Sequence, residues 1–451
     1  MRYLPGLPFL LLFLFPAFSI AQSPKQIIPG KLYDHIPVRK SSGASYLLDL
    51  AKDRAYEIDV FQQGVAVGFT LSDTNQTILA QSKRPEDITG HLKRDFTPSY
   101  TGSYYLKISY YVDPENTDSG EISIHVKPLT DQEMAKRSRI KKELAPENSK
   151  NVQTIDIDHF WEAFDRLKGS RTFADSVAVF QQYYLDRATD GLLDFIEVRD
   201  LTAEKYVAQV KLYPRYFASI RKRTYEVEKV KPVIEEVFER FKTIYSNFKP
   251  FKVCFAMGIL NTGGTVSNSF ILIGTEVMAS SPEADLSEFV KYNNTNKVNQ
   301  LSARKNFEEE IRKIVAHECG HTQQKPGMAD TAIQCKLLYQ SIREGACDFV
   351  GELLVHGHIN TAGNNYGDKH ELQLWTAFKN ELCNENIGNW LYNSDRVKNQ
   401  PGDLGYYIGY KIVQSYYENA IDKKKAIADI LEMTDPVDFL MKSKYDRKPK
   451  K

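Results

Sequence analysis

The sequence predicts a multidomain protein. An N-terminal all-β sandwich is followed by a mainly helical α+β domain that contains a small β-sheet. Three observations predict this. Residues 22 to about 128 carry short β-branched or aromatic runs separated by turn formers. From Ile155 the apolar residues take up helical spacing. Within that helical half, residues 251–256 and 269–274 are short apolar runs that read as strands. The length of 451 residues exceeds one ordinary domain and supports the division.

Residues 1–21 read as a signal peptide. Arg2 supplies a positive start, residues 7–18 form an apolar run too short to span a bilayer, and Ser19 and Ala21 place small residues before a cut at Gln22. The expectation is an exported chain, periplasmic or extracellular, with no integral membrane segment after cleavage. A single uncleaved anchor is the alternative. No Cys follows the cut, so no lipid anchor is indicated.

The β half spans residues 22–128. Strands are expected at 56–60, 65–71, 104–110 and 121–126, with turns at 73–75, 98–102 and 118–120. Asp73 and Asp95 could bind calcium, or could simply form turns. No catalytic set is visible here, and the expected role is binding a surface, a substrate or the rest of the chain. Residues 129–153 are charged and read as a linker or an exposed connecting helix. Residues 447–451 form a basic tail.

The remaining span, 154–446, carries the chemistry. Phe160, Phe164 and Leu167 lie on one helical face, as do Val177, Phe180 and Tyr184. Further helices are expected near 202–220 and 224–246. Next come the two strands. One of them is expected to hold a substrate backbone by strand addition, the alternative being a buried hairpin.

Residues 317–321 read His-Glu-Cys-Gly-His. Positions four apart share a helix face, so His317 and His321 can offer two imidazole nitrogens to one metal ion. Glu318 can then act as general base on a water at that metal. The flanks fit a helix: Phe307, Ile311, Ile314 and Val315 recur at helical spacing, and Glu308, Glu309 and Glu310 favour its N-terminal turn. A catalytic zinc needs a third protein ligand. Gln324 and Gly327 stand where the metzincin pattern requires Gly and His, which excludes that class. Glu344, 23 residues after His321, is the candidate, and Asp348 one turn later could accept the outer N–H of His317. Solvated charges beside Arg343 are the alternative for this pair. Tyr406 or Tyr407 could stabilise an oxyanion, and His356 or His358 could do the same. Packing is the alternative for the tyrosines, whose helix carries Gly405 and Gly409 four apart, a spacing that admits a close neighbour.

The motif with its later Glu-x-x-x-Asp resembles the gluzincin class of metallopeptidases. Residues 154–446 resemble more closely a bacterial family of predicted secreted zinc-dependent proteases. The matching stretches are 317–323, 343–353, 405–412, 160–164 and 184–186. The resemblance implies a zincin-like peptidase fold and does not imply a particular substrate; the expectation from the motif is one catalytic Zn²⁺ and a peptide or protein substrate. The β half resembles the jelly-roll-like pre-peptidase C-terminal module of secreted bacterial peptidases.

Five Cys remain, at 254, 319, 335, 347 and 383, so at least one is unpaired. Cys319 points off the face of the two His and is no ligand. A Cys335–Cys347 disulfide or buried free thiols are the readings available. A net charge of +1 gives no electrostatic case for nucleic acid. The function expected is a secreted zinc endopeptidase. A catalytically silent metal-containing binding or envelope-assembly protein, and a zinc amidase acting on cell-wall peptides, stay open.

Overall fold

The computed structural model describes residues 24–39, 43–82, 88–110, 119–292, 294–325, 335–355, 357–384, 386–394, 396–397 and 400–447. The expected leader, His356 and the last four residues of the tail lie outside them. The chain divides into two units, Met1–Leu129 and Thr130–Lys451.

The first unit holds β1 (Lys25–Ile27), β2 (Leu32–Arg39), β3 (Ala44–Leu50), β4 (Tyr56–Gln63), β5 (Val67–Ser72), β6 (Ile78–Gln81), β7 (Thr89–Phe96), β8 (Gly102–Tyr110) and β9 (Ser119–Pro128). One sheet has the order β1-β3-β8-β5-β6 and the other β2-β9-β4-β7. In β4 the residues Tyr56, Ile58 and Val60 are buried and alternate with half-buried Glu57 and Asp59, the two-residue period of a strand with one covered face. Leu48, Phe69, Leu106 and Ile108 from one sheet meet Ile58, Val60, Ile124 and Val126 from the other in a single core, so the unit is a β-sandwich. Asp73 Oδ1 accepts the backbone N–H groups of Asn75 and Thr77 and closes the turn after β5.

The second unit begins with α1 (Asp131–Glu143), α2 (Ala145–Asn148) and β10 (Val152–Gln153). A helical layer follows, made of α3 (Ile155–Arg166), α4 (Phe173–Tyr183), α5 (Asp190–Val198), α6 (Ala203–Leu212), α7 (Pro214–Thr224) and α8 (Lys231–Ile244). The single helix expected over 202–220 is two, because Pro214 has no N–H to continue α6 and instead opens α7. Next come β11 (Lys252–Ala256), β12 (Gly264–Val266), β13 (Phe270–Gly274), α9 (Thr275–Met278), α10 (Ser287–Lys291), α11 (Thr295–Ser302) and α12 (Phe307–Gln323). The unit ends with α13 (Lys336–Val355), α14 (Thr361–Lys379), α15 (Leu404–Asn419), α16 (Lys423–Leu431) and α17 (Pro436–Ser443).

The sheet order is β10-β11-β13-β12. β11 lies parallel to both β10 and β13, and only β12 runs antiparallel, against β13. The two expected strands are therefore neighbours in the interior of the sheet, neither a hairpin nor an edge. Among the described residues β12 is the outer strand beside the helices, inside the segment that reads as a connection.

Close helix crossings set the geometry of the centre. A Cβ on Gly345 would overlap the backbone of Gly409 and Tyr410, and one on Gly409 would overlap the Ser341 carbonyl oxygen, so α13 and α15 touch through main chain. A Cβ on Gly320 would sit 2.9 Å from Cys347 Sγ, so α12 also lies close to α13, though less tightly. Cys335 is bonded to Cys383 and not to Cys347; among the described residues Cys254, Cys319 and Cys347 are buried free thiols.

Candidate metal centre

The helix α12 forms where its sequence places it. The Asn306 side chain accepts the Glu309 N–H and caps it, three acidic residues fill its first turn, and Phe307, Ile311 and Val315 bury one face. His317, Glu318 and Cys319 fall on the last buried turns. Across the crossing at Gly320, α13 presents Glu344 and Asp348, both buried.

His317 Nδ1 lies 2.8 Å from Asp348 Oδ1 and His321 Nδ1 lies 3.1 Å from Gln324 Oε1. Each imidazole thus donates its Nδ1–H outward and turns the bare Nε2 inward. The two Nε2 atoms are 3.2 Å apart; Glu344 Oε2 is 3.0 Å from that of His321 and 3.6 Å from that of His317. Zinc bonds of about 2.0–2.1 Å at tetrahedral angles separate neighbouring donors by about 3.3 Å. The three atoms therefore match a zinc site closed on one side, and the donor types, two imidazoles and a carboxylate, are those zinc takes.

The electrostatics follow from burial and proximity. Burial alone would raise the Glu344 carboxyl, but the imidazoles of His321 and His317 outweigh it and hold it well below the ordinary value. Burial pushes Glu318 up, against the pull of both imidazoles and of the Arg199 guanidinium. No side chain fits between Glu318 and the sheet: a Cβ on Gly264, at the start of β12, would come 2.7 Å from Glu318 Oε1.

Tyr406 and Tyr407 separate cleanly. The Tyr406 ring lies over His317, centroids 6.1 Å apart, and its hydroxyl has no hydrogen-bond partner among the described residues. Tyr407 turns away and donates to Asp368 at 3.0 Å. His358 also points elsewhere, to Glu352 at 2.7 Å, because the chain leaves α13 before reaching it.

Three residues at the centre escaped the sequence reading. Gln324 orients His321 and also donates to the Arg343 carbonyl at 2.8 Å; its position three residues after the second His was the available signal. Tyr392 donates to Glu344 Oε1 at 2.6 Å from a loop, with a backbone φ of 56°. Arg199, just past α5, hydrogen-bonds Thr262 Oγ1 at 3.1 Å ahead of β12. Nothing local in the sequence marks either of the last two.

No curated protein matches this chain in sequence. Among the solved structures similar to parts of it are two from bacteria. The N-terminal region is similar to the pre-peptidase C-terminal domain of a collagenase from Bacillus anthracis, with 18% identity, a TM-score of 0.20, and coverage of 23% of this chain and 95% of that one. A periplasmic inhibitor of g-type lysozyme from Aeromonas hydrophila is similar with 9% identity, a TM-score of 0.19, and coverage of 24% and 100%. Residues 288–436 match a family model described as "Predicted Zn-dependent protease (DUF2268)". All three donor residues, with Glu318, Gln324, Asp348, Tyr392 and Tyr406, fall inside that span, and donor set and family together support zinc binding. Over residues 288–436 the chain is thus similar to the family described as a predicted Zn-dependent protease.

Proposed function

We propose that the chain is an exported zinc-dependent endopeptidase with one catalytic zinc. The observation that carries this reading is the convergence of His317, His321 and Glu344 on one point, with Glu318 alongside and the outer strand β12 next to Glu318. Bound there, zinc would acidify a water and polarise the scissile carbonyl.

The rest of the chemistry belongs to the chain. Glu318 takes the proton from the attacking water and delivers it to the leaving amine, and burial raises its basicity toward that task. The edge of β12, unpaired among the described residues, binds the substrate main chain by strand addition. Tyr406, whose hydroxyl has no hydrogen-bond partner among the described residues, donates to the oxyanion. Tyr392 and Gln324 hold Glu344 and His321 in place. The leader-like N-terminus supports export, as does the Cys335–Cys383 bond, a cross-link suited to an oxidising compartment. Among the described residues no helix is long and apolar enough to cross a membrane.

The test is metal content and peptide hydrolysis of wild type beside Glu318→Gln. One zinc bound at this centre in both, with cleavage only in the wild type, is expected. Equal activity in the Gln variant would remove Glu318 from the mechanism. Zinc without cleavage in either would favour a binding protein, and activity confined to peptidoglycan fragments would favour an amidase.

A further inference from the structure

Strand β12 is short and carries little order of its own. It has three residues, begins with Gly264 and pairs with β13. Gly263 and Gly264 lead into it, and glycine loses more conformational freedom on ordering than any other residue. Such a strand needs support from outside the sheet, and α5 supplies it at both ends. Ahead of the strand, Arg199, directly after α5, donates from Nη2 to Thr262 Oγ1 at 3.1 Å, and Thr262 Oγ1 donates to the Gly264 carbonyl at 2.5 Å. Beyond the strand, Ser267 Oγ donates to Asp194 Oδ2 of α5 at 2.5 Å. The same Ser267 oxygen accepts the N–H groups of Ser269 and Phe270 and shapes the turn into β13.

The register of β12 decides which groups this brace presents. The Gly274 N–H bonds the Gly263 carbonyl at 3.1 Å, and the Ser267 N–H bonds the Phe270 carbonyl at 2.9 Å. Bonded and non-bonded pairs alternate along an antiparallel ladder. Thr265 opposite Leu272 is therefore a bonded pair, whereas Gly264 opposite Ile273 and Val266 opposite Ile271 are not. The main-chain N–H and C=O groups of Gly264 and Val266 thus turn away from β13, to the side that strand addition uses. A carbonyl has two lone pairs, so the Thr262 hydroxyl on Gly264 does not exclude an incoming N–H. Gly264 is also the residue whose Cβ would meet Glu318.

We propose that Asp194 and Arg199 are positioning residues for the substrate. Acting through Ser267 and Thr262, they hold β12 so that Gly264 and Val266 face an extended peptide beside the general base. This rests on the peptidase reading above and adds to it the residues that set the substrate's main-chain contacts. Gly264 and Val266 are two positions apart, so alternate residues of the peptide meet them.

Steady-state kinetics on a peptide substrate, with the zinc-loaded full chain, test this. Thr262→Val replaces the hydroxyl by a methyl group, and it is a cleaner probe than Arg199, whose charge also acts on Glu318. Its KM should rise about tenfold with kcat within about twofold and zinc content unchanged, since main-chain pairing holds ground state and transition state alike. Thr262→Ser keeps the hydroxyl and should restore the wild-type KM, and Asp194→Ala should raise KM as Thr262→Val does. An unchanged KM in both Thr262→Val and Asp194→Ala, or a fall in kcat alone, would overturn the proposal. Wild type that cleaves no peptide would instead remove the peptidase reading. Hydrogen exchange over residues 262–268 then decides the brace: faster exchange in Thr262→Val, reversed in Thr262→Ser, supports it, and equal exchange refutes it.

Discussion

The Nδ1–H of His321 donates to Gln324 Oε1 at 3.1 Å, and the amide nitrogen of Gln324 is anchored in turn on the carbonyl of Arg343, next to Glu344. One side chain thus fixes the tautomer of one donor and braces the neighbour of another. Gln324→Ala should weaken zinc binding at the metal centre by about 10–100-fold, the usual effect of removing such a partner. Titration against a chelator of known affinity measures it. An unchanged affinity would show that the amide does not orient the ring.

Tyr392 and Tyr406 should fail differently. Tyr406→Phe is expected to lower kcat by about 10²-fold with zinc content and KM little changed, because only the transition state uses the hydroxyl. Tyr392→Phe frees Glu344 Oε1 and should instead cost about tenfold in zinc affinity, with most of kcat restored at saturating zinc. Steady-state kinetics at two zinc concentrations separate them. Interchanged behaviour would reassign the oxyanion donor to Tyr392.

Gly264→Ala places a methyl group 2.7 Å from Glu318 Oε1. The strand or the carboxylate must shift, and hydrolysis should fall by at least about 10²-fold while zinc stays bound, since misplacement of about 1 Å is enough to do so. Full activity in this variant would show that the contact of β12 with Glu318 does not matter for hydrolysis.

Glu276, at the start of α9, accepts the N–H groups of Gly258 and Leu260 and holds the segment leading to β12. Burial raises its carboxyl from the ordinary 4.5 to about 7, against those two hydrogen bonds. The fold therefore favours the protonated form. Its contribution is complete below pH 4.5 and is lost as pH rises through about 7, on the order of 3 kcal/mol at most. Tm measured across this range should fall with rising pH, and Glu276→Gln should flatten the slope. A slope identical in the variant would place the titration elsewhere.

The helical parts of the centre were legible because their determinants are local. Phe307, Ile311 and Val315 mark a face, Asn306 a cap, and the spacing of 317, 321, 344 and 348 fixes which side chains can meet. Gly405 and Gly409 announced a close crossing, and α13 occupies it. Strand β12 was illegible: Gly-Thr-Val is too short to show a period, and its edge position comes from pairing with β13. Tyr392 was illegible for a related reason. A reciprocal bond pair between Asn393 and Asp403, both 2.7 Å, shapes its loop, and neither residue signals a site in the sequence.

The Cys335–Cys383 bond and the metal donors act on overlapping stretches of chain. A zinc ion held by His321 and Glu344 would join positions 321 and 344, and the disulfide joins positions 48 apart, starting inside that loop. The disulfide removes loop-closure entropy from the unfolded chain, worth about 4 kcal/mol for a loop of this size, whereas a bound zinc would stabilise by binding the folded chain alone. Because the loops interlock at the start of α13, either clasp alone still restrains the helix. Chelation and thiol reduction together therefore release far more than the two treatments applied singly.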